Sequence, residues 1–126
     1  MPVSWTQRDT TASHFEVGTW ASSTIAALDN SLQFIKDFGV DRIYAHNHAL
    51  ATRIYNELPR LGYPTITPSD AYGNIVSFQV KNRQATERRL TTANVYVTFH
   101  GQSRMRLSPS IYNNDADVDV LLSALA

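Results

Sequence analysis

The stretch Val95-Tyr96-Val97-Thr98-Phe99-His100-Gly101-Gln102-Ser103-Arg104-Met105-Arg106-Leu107-Ser108 decides the fold class. Val95, Val97 and Phe99 alternate with Tyr96, Thr98 and His100, the period-2 pattern of a half-buried strand. Residues 101–103 supply a turn, and Met105 and Leu107 then alternate with Arg104 and Arg106. The pattern predicts an antiparallel hairpin with one apolar face and one polar face. On the polar face stand His100 and the two arginines.

Working outward, residues 75–80 form another strand candidate, with Val76, Phe78 and Val80 on one face. Residues 83–93, containing Glu87, Arg88, Arg89 and Leu90, suit a short polar helix. After the hairpin, Asn114 offers a capping oxygen to a helix through Val118, Leu121, Leu122 and Leu125, and Asp115, Asp117 and Asp119 complement its dipole. Residues 63–68 read as an extended piece between Pro64 and Pro68, followed by a turn over 69–74.

Upstream the period changes to that of helices. Ser22, Ser23 and Thr24 offer caps to a stripe of Ile25, Leu28, Leu32 and Ile35, with Gly39 as its stop and Phe34 roughly opposite. Asp41 is expected to cap the next helix, with stripe Ile43, Leu50, Ile54, Leu58 and Leu61; Pro59 kinks or ends it before Gly62. The two make an αα-hairpin. Residues 1–17 read as irregular or extended. The order ααββαββα predicts an α+β fold, helices packed on one face of a small, mainly antiparallel sheet.

The chain of 126 residues fits one domain, 1–126, and 43% hydrophobic content is enough for a core. Eleven basic residues balance eleven acidic ones, which gives no electrostatic case for nucleic acid or an anionic membrane as partner. Cysteine is absent, so thiolate chemistry and disulfides are excluded, and a cytoplasmic location is the default expectation. No run approaches a signal peptide or the roughly 18 apolar residues of a membrane span. His46 and His48 diverge on their helix and make no metal pair; no metal site is expected.

Three segments carry a family resemblance. His14-Phe15-Glu16-Val17-Gly18-Thr19-Trp20 resembles the F-E-x-G-T segment of class V aminotransferase-like pyridoxal phosphate enzymes. The run Phe34-Ile35-Lys36-Asp37-Phe38-Gly39-Val40-Asp41-Arg42-Ile43, followed by His48 and Leu50, is similar to the same family's helix–Gly–helix stretch. Arg106-Leu107-Ser108-Pro109-Ser110-Ile111-Tyr112-Asn113, ending in Asp117-Val118-Asp119, resembles its R-x-S-x-x-x-Y-N-T-x-x-D-[IV]-D ending, with Asn114 in place of the threonine. Order and spacing agree from about residue 14 to 125. The superfamily includes cysteine desulfurase, selenocysteine lyase and isopenicillin N epimerase-like proteins, and the match is to its C-terminal small domain.

The resemblance implies a homodimer whose large N-terminal domain binds pyridoxal phosphate on a lysine preceding the segment seen here. The chain alone is then catalytically incomplete, a partner of that large domain in an enzyme acting on an amino acid. Gly18 and Thr19 match the turn that contacts the cofactor phosphate of the neighbouring subunit, and Arg106 matches the arginine that binds the substrate α-carboxylate. His100 is either a second residue lining that cleft or a solvent-exposed strand end. Tyr112 and Asn113 are expected to be structural. Lys36 and Lys81 sit in other contexts, a helix flank and a turn. Residues 98–104 hold no cysteine, which excludes the persulfide chemistry of the desulfurase branch here. A stand-alone, non-catalytic binding or interaction domain is the alternative. Trp20 and Phe34 are candidates for an apolar surface facing the large domain.

Overall fold

A computed structural model describes residue 18, residues 21–71 and residues 73–126. The chain forms two compact units, Met1–Asp37 and Phe38–Ala126. α1 spans Ser22–Phe38, all but its last residue in the first unit, so Ser22 to Thr24 lie in its first turn rather than ahead of it; the Ile25 N–H bonds the Ala21 carbonyl. None of its residues is buried, and Ile25, Leu28, Leu32 and Ile35 are exposed.

The second unit holds α2 (Val40–Glu57), a 3-10 turn (Leu58–Leu61), β1 (Val76–Gln79), α3 (Arg83–Thr92), β2 (Thr98–His100), β3 (Arg104–Leu107) and α4 (Asp115–Leu125). Gly39, at φ 100°, takes the N-cap position of α2. Asp41, expected to cap this helix, lies instead in its first turn, and no side chain caps the helix. Pro59 ends the α-helical hydrogen bonding, and Gly62 at φ 89° closes the 3-10 turn. The Tyr63 N–H reaches the Leu58 carbonyl and the Gly62 N–H the Pro59 carbonyl, the paired bonds of a Schellman motif.

The sheet is antiparallel, in the order β1-β3-β2. Val76, Phe78, Met105 and Leu107 point into the core, where Leu50, Ile54 and Leu58 from α2 and its extension, Leu90 from α3, and Val118, Leu121 and Leu125 from α4 meet them. Phe78, Leu58, Leu90, Met105 and Leu125 are essentially fully buried. This is an α+β unit with helices on one sheet face, as the periodicity predicts. Among the described residues no helix is long and apolar enough to cross a membrane.

Two expected strands are shorter than their patterns. Residues 63–68 contribute only a bridge, Thr65 opposite Phe78, because Pro64 and Pro68 have no N–H to extend a ladder. In β2, residues 95–97 do not pair. Val95 is spent closing α3: its N–H bonds the Leu90 carbonyl while Asn94, at φ 57°, bonds Thr91, a second Schellman motif with asparagine in the left-handed position. That asparagine was the sequence signal for the early end of the strand.

Candidate functional site on the open face of the sheet

The register puts two rows of side chains on the sheet face opposite the core. Arg106 lies between Thr98 and Ser77, and Arg104 lies between His100 and Gln79. Arg104, Arg106, Thr98, His100 and Gln79 are exposed, whereas Met105 and Leu107 are buried on the other side. No acidic residue stands in either row. Among the described residues neither arginine has a carboxylate within ion-pair distance.

Successive same-face residues of a strand are about 7 Å apart. Two unit charges at that spacing repel by about 0.6 kcal/mol in water and by about 2.4 kcal/mol at an effective dielectric near 20. The pair is therefore tolerable facing water and unfavourable under a cover that brings no anion. A planar guanidinium fork suits a carboxylate with two parallel hydrogen bonds.

The rest of the Arg106–Asp119 segment is scaffold. Asn113 folds the loop after β3: its Oδ1 accepts from the Ser110 N–H at 3.0 Å, and its own N–H reaches the Ser110 carbonyl. Nε2 of His46, on α2, donates to the Asn113 carbonyl at 2.8 Å, and Nδ2 of Asn74 donates to the Pro109 carbonyl at 2.9 Å. Asn114 then makes a capping box with Asp117 at the start of α4. Asp119 and Asp115 both receive the guanidinium of Arg53 on α2, which Glu57 also meets one turn on. Asp119 first, then Glu57 and Asp115, hold the Arg53 guanidinium above its already high ordinary range. Sequence reasoning weighed His46 only as a metal ligand and missed its hold on the loop, and it missed Arg53; only the i,i+4 spacing of Arg53 and Glu57 was a local signal for either.

Tyr112, expected as structural, is 87% exposed; its backbone N–H, not its ring, takes part in the loop through Ser110 Oγ. Gly18 is exposed, and apart from its own chain neighbours nothing described lies within 4 Å of where a Cβ would project. Thr19 and Trp20 lie outside the described residues, and Phe34 is exposed. Lys36 on α1 and Lys81 after β1 are exposed, and neither lines the cleft next to Arg106.

That cleft, of about 830 Å³, opens where residues 95–97 leave the ladder. Arg106, Tyr96, Ile75, Asn94 and Val120 line it, with Asn113 at the loop. Its size is that of a small-molecule site. Arg106 thus borders both the open face and the cleft, and can hold an anion at their junction.

Comparison with known proteins gives a family and a fold. The aminotransferase class-V family matches residues 3–121. Among solved structures, the T330S mutant of Rv3290c from M. tuberculosis is similar at a TM-score of 0.56 and 20% identity, over 75% of this chain and 22% of that one. The chain thus spans about a fifth of that neighbour's length, and the likeness is one of fold. No curated protein gave a significant match.

Proposed function

Since the chain belongs to the aminotransferase class-V family, we propose that it is the C-terminal small domain of a pyridoxal-phosphate-dependent enzyme acting on an amino acid, in which Arg106 binds the substrate carboxylate. The observation that carries this reading is the placement of Arg106: exposed on the helix-free sheet face, at the mouth of the cleft, with no carboxylate partner among the described residues. An arginine with that surrounding presents its whole fork to an incoming anion.

Pyridoxal phosphate, when bound, withdraws electrons from the substrate α-carbon. Among the described residues that line the cleft there is no lysine to carry it. The chain's own part is to bind and orient: Arg106 fixes the carboxylate, and His100, on the same face, is a further lining residue. Gly18 and Thr19 are proposed to meet the cofactor phosphate of the other subunit in a dimer, on the family resemblance of that segment.

The partner on this reading is the large, lysine-bearing domain of the same enzyme. The exposed stripe of α1 supports it, because an amphipathic helix with no buried residue is surface suited to covering by more protein. The test is an absorbance titration of the purified chain with pyridoxal phosphate, followed by borohydride reduction and peptide mapping. The expected result is no stoichiometric adduct at Lys36 or Lys81. A single lysine trapped at full occupancy would make the chain a cofactor carrier in its own right and overturn the proposal.

A further inference from the structure

We infer that the second row of the open face, Arg104 with His100, is a subsite for a second anionic group, so that the substrate class is an amino acid with an acidic side chain. The inference rests on Arg106 as the α-carboxylate contact and extends it by one row. Arg104 pairs directly with His100 across β2 and β3 and with Gln79 across β1, so a cation, an imidazole and an amide, all able to donate hydrogen bonds, meet in one row. Arg104 lies two residues from Arg106 on the same strand, and the spacing of about 7 Å suits the two acidic ends of an amino acid of aspartate or glutamate size.

The row is also held in place. The turn joining β2 to β3 is tied at both ends: Nη1 of Arg83 donates to the Gly101 carbonyl at 2.7 Å, and the Val80 N–H donates to the Ser103 carbonyl at 2.7 Å. The Arg83 guanidinium also covers the Phe99 ring at 5.3 Å and pairs with Glu87, so it is occupied as a clamp. Arg53 and Arg83 are paired with carboxylates; Arg104 and Arg106, like Arg42, Arg60, Arg88 and Arg89, lack one among the described residues, and what sets these two apart is that they share one sheet face two residues apart. A chain with equal numbers of acidic and basic residues has thus put two cations and no acid at the paired strand positions of this face. The complement of that arrangement is a ligand with two negative groups.

A distal carboxylate and a distal phosphate would satisfy the row by the same chemistry, and the experiment separates them. Arginine Nε–Hε signals of the chain are followed by NMR during titration with L-alanine, L-glutamate and O-phospho-L-serine. L-glutamate or O-phospho-L-serine is expected to bind about tenfold more tightly than L-alanine, the size of one charge-assisted contact; whichever is tighter identifies the anion. Arg104→Gln should bring that ratio to about one, while Arg89→Gln, on the exposed face of α3, should leave it at about ten. Equal affinity of all three ligands for the wild type, or a preference that survives Arg104→Gln, would overturn the second subsite. Failure of the underlying reading looks different: alanine then either does not perturb Arg106 or binds Arg106→Gln as well as it binds the wild type.

Discussion

Arg53 and Arg106 are both arginines on the second unit, yet they are surrounded in opposite ways. Arg53, on α2, is 30% exposed and meets Glu57, Asp115 and Asp119, so its fork is filled from within the chain. Arg106, on β3, is exposed and meets none among the described residues. The same chemistry serves as a brace in one place and as an offered site in the other. The difference comes from what faces each: α4 presents acidic residues to α2, whereas the sheet face that carries Arg106 has no helix over it within its unit. Two aspartates of the family ending belong to the brace and its cap, and the arginine that opens that ending belongs to the site.

This contrast can be broken by substitution, beginning where the effect is largest. Phe78→Ala, on the covered sheet face, should lose about 3–5 kcal/mol in urea unfolding, because it empties a fully buried position. The adjacent Gln79→Ala, on the open face, should stay within about 0.5 kcal/mol; equal losses would mean that both faces are covered. Arg53→Met comes next. It strips three carboxylates of their shared cation, and its melting temperature should fall, with part of the gap to wild type closing in high salt as the wild-type network is screened.

Asn114→Ala removes the side-chain half of the capping box, leaving the residue-114 N–H on Asp117, and should cost about 1 kcal/mol, read by the same urea titration. A change within error would mean that the cap is dispensable because packing of Val118, Leu121 and Leu125 alone holds α4. Smallest in stability is Arg106→Gln, expected within about 0.5 kcal/mol of wild type, since no partner is lost. The same variant should abolish the L-alanine-dependent shift of the arginine signals. If it instead destabilised the chain as Arg53→Met does, Arg106 would be a second brace and not a site.

Much of this is legible in the sequence alone. The alternation of Val76, Phe78 and Val80 and of Met105 and Leu107 named the core face correctly, and Asn114 announced the α4 cap. Arg106 and His100 were placed on the polar face by the same period. The failures are equally specific. Asp41 looked like a cap, but the chain turns into α2 through Gly39 at positive φ and leaves Asp41 two residues past the cap, inside the first turn. Residues 95–97 looked like strand because their apolar alternation is real; Val95 and Val97 do pack against the core, but from the cap of α3 and the cleft wall. Periodicity reports which side of a segment is buried, and says nothing of whether a neighbouring strand is there to accept its hydrogen bonds.

By itself the sequence determined the order of elements, the helix and turn ends at Gly39, Gly62 and Asn114, the apolar face of each strand, and the segments that carry the family resemblance. These depend on forces acting over a turn or two of chain, namely side-chain period, capping and the backbone freedom of glycine. Only the tertiary structure decided that β3 lies between β1 and β2, that Arg53 reaches Asp115 and Asp119 across 62 and 66 residues, that His46 holds the loop at Asn113, and that a cleft opens beside Arg106. Each of those is a contact between distant segments. Its geometry is fixed only when the whole core packs, so no local pattern could carry it.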